Sequence, residues 1–129
     1  MSMRARLISF FLRRTVKKTM SNFVDPISVR ARFSTSPKKL SAKVKSERLD
    51  AGGVPGSWLS KQNASTSKVV LYLHGGGYVF GGYGSHCEIA SEMADLIGGR
   101  ALLLDYRLAP EHPFPAAFED ALSSYRWIL

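Results

Sequence analysis

Disulfides are the first thing this sequence rules out. It holds a single cysteine, Cys87, so no internal cross-link can form, and the chain suits a reducing compartment or is indifferent to redox conditions. One cysteine with three histidines, His74, His86 and His112, supplies no zinc-ligand spacing, and neither a metal nor a cofactor is expected. Long apolar runs are also missing. Leu7 to Leu12, interrupted by Ser9, falls short of the roughly 7–15 residues of a secretory core and of the roughly 20 of a membrane span. Arg13-Arg14 and Lys17-Lys18 follow where a cleavage site would stand. Cytoplasmic location is the expectation, although an Arg-rich, acid-poor start also resembles a transit peptide.

Acids are scarce at the start. Residues 1–48 hold thirteen Lys and Arg against two acids, a balance of +11, whereas residues 49–129 carry −3. The basic character therefore belongs to the opening segment. A solvated helical face accounts for it more simply than a nucleic-acid contact, so no nucleic-acid partner is expected. The alternative is a non-enzymatic module that binds a membrane surface or a partner through a basic amphipathic helix.

A composition of 45% hydrophobic and 22% charged residues is that of a folded domain or part of one. Leu7, Ile8, Phe11, Leu12, Val16 and Met20 share one side of a helix, opposite Arg6, Arg13, Arg14 and Lys17. Asp25-Pro26 then reads as an N-cap followed by proline at the first helical position. Lys43–Leu49 is a charged edge strand, residues 50–56 a turn, and Ser57–Lys61 the return strand. Val69–Leu73 and Ala101–Leu104 are continuous apolar runs, the mark of strands buried on both faces. Between them, Ser85-His86-Cys87-Glu88 predicts a capping box, Ile89, Met93, Leu96 and Ile97 a buried helical stripe, and Gly98-Gly99 a stop. Phe118, Ala121, Leu122, Tyr125, Ile128 and Leu129 trace a last amphipathic helix. Strand–helix–strand in this order is a right-handed βαβ unit of an α/β fold. Two such strands and one hairpin cannot cover a parallel sheet, and the last helical stripe has no cap, so truncation of a larger domain is the expectation.

The chemistry concentrates where the first buried run ends, in His74-Gly75-Gly76-Gly77-Tyr78-Val79-Phe80-Gly81-Gly82. Three successive glycines weaken any regular element and let the backbone turn sharply, presenting amide donors to a developing oxyanion. A phosphate loop fails on spacing. G-x-G-x-x-G would need glycine at Phe80, and a Walker loop from Gly76 would need Lys and Ser/Thr where Gly82-Tyr83 stand.

His74-Gly-Gly-Gly-Tyr78 after a buried strand resembles the HGGG motif of lipases and esterases. Asp105-Tyr106-Arg107-Leu108-Ala109-Pro110-Glu111-His112-Pro113-Phe114-Pro115-Ala116-Ala117 resembles a second hallmark of the hormone-sensitive-lipase-like esterases. The resemblance runs over nearly the whole chain. It implies the N-terminal portion of an α/β-hydrolase fold, a mostly parallel sheet with flanking helices. Residues 1–40 would be a helical cap segment and residues 41–129 the incomplete core. It implies carboxylic-ester hydrolysis of a small-molecule substrate by serine acyl-enzyme chemistry, and it fixes no oligomeric state. The Gly76 and Gly77 amides would be oxyanion donors, Gly75 would serve the turn, His74 would orient the loop, and Tyr78, Phe10, Phe11 and Phe23 would approach substrate. No serine has glycine two residues before and two after, so no G-x-S-x-G nucleophile is present, and the triad is expected beyond Leu129. Ser85 reads as a helix cap and His112 as loop scaffolding. Asp105 and Arg107 read as one polar network behind the loop, Glu119 and Asp120 as solvated, and Cys87 as unreactive.

Overall fold

The computed structural model describes residues 3–21, 25–33 and 40–129. Two helices come first, α1 (Met3–Ser21) and α2 (Pro26–Phe33), followed by the hairpin β1 (Val44–Asp50) and β2 (Pro55–Lys61). Then come β3 (Val69–Tyr72), α3 (Tyr83–Leu96), β4 (Arg100–Leu104) and α4 (Ala116–Ile128). The four strands form one sheet in the order β1-β2-β4-β3. Among them the sheet is mixed: β2 pairs antiparallel with both β1 and β4, and only β3 runs parallel to β4.

The central strand explains the layering. Successive side chains of a strand point to opposite faces, so Ala101 and Leu103 join Leu59, Cys87, Ala90 and Ala94 in a core beneath α3. Leu102 and Leu104 join Ala51, Val54 and Tyr106 on the other face, with Ala117 and Ile128 of α4 against them. Both faces of β4 are dry, as its continuous apolar run requires. Its neighbour β3 differs from expectation. It has only one paired neighbour among the described strands, its residues are half-buried, and Leu73 is exposed.

Local signals set several ends. Asp25 caps α2, accepting from the amides of Ile27 and Ser28 at 3.1 and 3.0 Å. At the end of α3, Gly98 takes φ 61°, and the amides of Gly98 and Gly99 donate to Asp95 and Ala94 at 2.9 Å, closing a Schellman motif. The start of α3 corrects the sequence reading. The cap is Gly82 and Ser85 lies inside the first turn, its hydroxyl 3.2 Å from the Gly82 carbonyl. The amide of Tyr83 donates instead to Asp105, a carboxylate brought from the end of β4.

The buried stripe of α3 is also corrected. Ile89, Met93 and Leu96 face outward, and the helix buries Cys87, Ala90, Ser91 and Ala94. Small side chains at these positions let the helix lie close on β4, a geometry that larger ones would prevent. α4 repeats the pattern: Ala116, Asp120 and Ser124 face in, while Phe118 and Tyr125 are exposed. Ser124 and Ser123 donate to the carbonyls of Ala51 and Gly52 at 3.0 and 2.6 Å, fastening α4 to the hairpin turn. On α1, Leu7, Ile8, Phe10, Phe11 and Leu12 are all more than half exposed. Phe23 lies outside the described residues.

Ala94, fully buried between α3 and β4, reports on this approach. Ala94→Leu is expected to destabilise the fold by about 1–3 kcal/mol, read as a lowered midpoint in urea unfolding. Met93→Ala on the outward face is expected to leave the midpoint nearly unchanged.

Candidate active site

β3 delivers the glycine loop to the end of the sheet, and the loop is built around a buried imidazole. His74 is only 4% exposed, and its ring stacks on that of Tyr106 with centroids 4.2 Å apart. The Tyr106 hydroxyl donates to the His74 carbonyl, and the His74 Nδ1 lies 3.0 Å from the Gly75 carbonyl. Only a protonated nitrogen can face a carbonyl, so this contact places the proton on Nδ1. Burial pushes the Tyr106 phenol above its usual pKa, which keeps it a neutral donor.

Beyond His74 the chain doubles back. The Gly76 carbonyl accepts from the amides of Val79 and Phe80 at 3.1 and 3.2 Å. A Cβ on Gly76, whose φ is 133°, would sit 1.9 Å from the Phe80 carbonyl oxygen. One on Gly81 would sit 2.4 Å from the His74 Nδ1. Left-handed backbone continues through Gly77 and Tyr78, both at φ 61°. The turn therefore falls on residues 76–78. Gly75 has no positive φ, and the nearest atom that a Cβ there would meet, the His86 Nε2, is 3.9 Å away. This moves the turn from Gly75 to the residues after it. Among the described residues, no acceptor takes the amide of Gly76 or of Gly77. Both glycines line a cleft of about 380 Å³ with His74, Tyr78 and Tyr106, closed on its other side by Ala117, Phe118 and Ala121 near the start of α4. Phe10 and Phe11 are not among its walls.

The second motif holds the cleft from behind. Asp105 and Arg107 do not form one network. Asp105 accepts from Tyr83 at 3.2 Å and from Arg48 at 2.6 Å. Arg107 is held by Asp120, which also accepts the Arg107 amide at 2.8 Å. Asp120 is therefore buried, at 7% exposure, where the sequence reading left it in solvent. Burial works to raise its carboxyl, but the hydrogen bonds from Arg107 outweigh it and hold the group below the usual carboxylate range. Glu119 remains exposed, and the exposed His112 donates its amide to Leu108 at 2.9 Å as part of the loop. The Tyr78 carbonyl accepts from the Ala109 amide at 2.8 Å, joining the two motifs directly. Ser85 and His86 form a contact, Oγ to Nδ1 at 2.8 Å, and neither lines the cleft. Cys87 is buried.

A family profile described as alpha/beta hydrolase fold matches residues 70–129, the segment that builds this cleft. That segment has an α/β-hydrolase fold. The chain is 48% identical over 62 residues to an acetyl-hydrolase of Streptomyces hygroscopicus, covering 48% of this chain and 21% of that protein. It is 42% identical over 66 residues to an ethyl acetate hydrolase of Pseudomonas putida, covering 51% of this chain and 21% of that protein. A crystal structure of an esterase from the bacterial hormone-sensitive lipase family superposes with a TM-score of 0.68 at 39% identity, over 80% of this chain and 40% of that one. The chain thus spans about a fifth of the length of the curated relatives it matches. The α/β-hydrolase likeness is one of backbone as well as sequence, and the family profile begins at Val70, a narrower span than the near-whole chain that the motifs implied.

Sequence reasoning missed Tyr106, Arg48 and Arg30 as parts of the site's frame. Tyr106 had a signal, since it stands inside the second motif. The two arginines had none, being two of thirteen cations in the opening 48 residues. Among the described residues no group of His, Cys, Asp or Glu could hold a metal ion, and no helix is long and apolar enough to cross a membrane.

Burial pushes the His74 imidazole below its usual pKa, and its contact with the Gly75 carbonyl opposes this without reversing it. The unfolded chain then takes up a proton at higher pH than the folded one, so this group's contribution to stability is lost as pH falls. Between about pH 7.5 and about pH 5.5 the free energy of urea unfolding is expected to decrease, and His74→Asn should flatten that slope.

Proposed function

We propose that this chain supplies the oxyanion-hole loop and part of the cap of a carboxylic-ester hydrolase that works through a serine acyl-enzyme. The observation that carries this reading is the pair of amides at Gly76 and Gly77, without internal acceptors, on the wall of the cleft. Attack on an ester carbonyl turns its oxygen into an oxyanion, and donors fixed before the reaction stabilise that charge without reorganising. His74 and Tyr106 hold the loop from beneath, and Tyr78 flanks the acyl group. A cleft with mostly apolar side chains fits short or medium acyl chains. Residues 1–40 contribute to the cap over this cleft, and residues 41–129 to the core.

The nucleophile, its histidine and the orienting acid are assigned to polypeptide outside these 129 residues, because no serine here sits in the glycine-flanked elbow. The Ser85–His86 contact is no substitute. The Ser85 hydroxyl is shared between the imidazole and the Gly82 carbonyl, and Ser85 is not among the residues that line the cleft.

The 129-residue chain alone is expected to release no p-nitrophenol from p-nitrophenyl butyrate above the buffer rate. Turnover that disappears in Ser85→Ala would overturn the assignment. In the complete hydrolase, Gly76→Ala should lower kcat by about 10²–10³-fold, the cost of losing one such donor. Gly75→Ala, at an open position with ordinary backbone, should leave kcat nearly intact.

A further inference from the structure

Arg30 lies in α2, far from the glycine loop in sequence, yet its guanidinium touches both motifs of the cleft. Its Nε donates to the Val79 carbonyl at 2.8 Å, and one terminal nitrogen donates to the Ala109 carbonyl at 2.7 Å. The two terminal nitrogens also engage both oxygens of Glu111 at 2.7 Å. Val79 closes the glycine loop, and Ala109 is the residue whose amide already binds the Tyr78 carbonyl. The guanidinium therefore bridges two loops at the point where they meet. A planar fork with five donors can serve two carbonyls and a carboxylate at once; an ammonium group cannot.

From this geometry we infer that Arg30 is a positioning residue for the oxyanion loop, acting through its bonds to the Val79 and Ala109 carbonyls, with Glu111 as its ion-pair partner. The loop needs such support because left-handed backbone runs through Gly76, Gly77 and Tyr78. A non-glycine residue in that region persists only when its surroundings over-determine it. Tyr78 is exposed at its side chain, so the restraint acts on its backbone, through the Ala109 amide on one side and the Arg30–Val79 bond on the other. The cap segment thereby reports its position to the catalytic donors. The clamp itself is a structural claim, and its catalytic consequence rests on the oxyanion reading of residues 76 and 77.

Hydrogen exchange on the 129-residue chain tests the clamp through three amides, those of Val79, Phe80 and Ala109. Both Arg30→Ala and Arg30→Lys are expected to speed exchange at all three by about tenfold or more, while Leu102 and Leu103 in β4 stay unchanged. Glu111→Gln, which keeps both carbonyl bonds, should change them by less than about threefold. Free guanidinium should restore protection to Arg30→Ala. Unchanged exchange in Arg30→Lys, or an effect of Glu111→Gln as large as that of Arg30→Ala, would overturn the clamp and reduce Arg30 to a docking ion pair. In the complete hydrolase, Arg30→Lys should lower kcat by up to about 10²-fold at little cost in KM, as expected of misplaced donors. Loss of protection with an unchanged kcat would uphold the clamp and reject the oxyanion assignment, so the two failures are distinguishable.

Discussion

Where β4 leaves the sheet, the next two side chains continue its alternation into the surrounding elements, and the cleft depends on that continuation. Leu103 faces α3, and two residues on, Asp105 reaches the first amide of the same helix. Leu102 and Leu104 face the α4 side, and Tyr106 extends that row to stack beneath His74. Arg107 then turns to Asp120 on α4. A slip of β4 by one residue would send a carboxylate into the apolar cluster under α4 and pull the phenol out from beneath the imidazole. The four dry residues Ala101–Leu104 make that slip costly, because each would exchange the face it packs on. The hydrophobic pattern of one strand thus fixes the polar geometry of the site.

The same principle separates what could be read from the sequence from what could not. The hairpin, the Asp25 cap, the Gly98-Gly99 stop and the buried run of β4 were legible because each is decided by neighbours in the chain. The inner faces of the helices were not. Helical periodicity weights large apolar residues, and it pointed to Ile89, Met93 and Leu96, whereas close approach to a sheet selects Ala90 and Ala94. On α4 an acid in an amphipathic pattern reads as solvated, yet Asp120 is buried because Arg107, thirteen residues earlier, brings it the donors that make burial tolerable. Ser85 looked like a cap for want of a better partner nearby. The partner that the structure uses, Asp105, is distant in sequence and adjacent only after β3 and β4 have paired.

At the site itself the composition of the loop was informative and its conformation was not. Three glycines announce an unusual backbone without saying which of them needs it. The structure assigns the need to Gly76, where any Cβ collides with Phe80, and it recruits a tyrosine into the left-handed run. Gly81 carries an equal constraint, since the space above it is filled by the His74 ring and the Gly75 carbonyl. Nothing in a one-dimensional pattern distinguishes Gly81 from Gly75. Only the folding back of the loop over His74 does so. Arg30 and Arg48 illustrate the opposite difficulty: both were visible as charge, and their partners, a pair of carbonyls and the end of a buried strand, were not.

Donors held for a transient oxyanion, the role proposed above for Gly76 and Gly77, present a folding problem, because an amide with no acceptor gains nothing from the fold that displays it. Hydration can satisfy the Gly76 and Gly77 amides in the resting protein, so their exposure at a cleft is tolerable where burial would not be. Hydration alone does not keep them in place. The backbone that presents them is left-handed over three residues, and its own internal bonds amount to the Gly76 carbonyl receiving two amides. Rigidity must therefore be imported, and the structure imports it from three directions. Tyr106 and His74 act from below, the Ala109 amide from the side, and the Arg30 guanidinium from the N-terminal helices. Each of these contacts ends on a backbone carbonyl of the loop, that of His74, Gly75, Tyr78 or Val79. Carbonyls are therefore consumed in fixing the loop while the amides of Gly76 and Gly77 take no internal acceptor, a division of labour that the proposed preorganised hole requires.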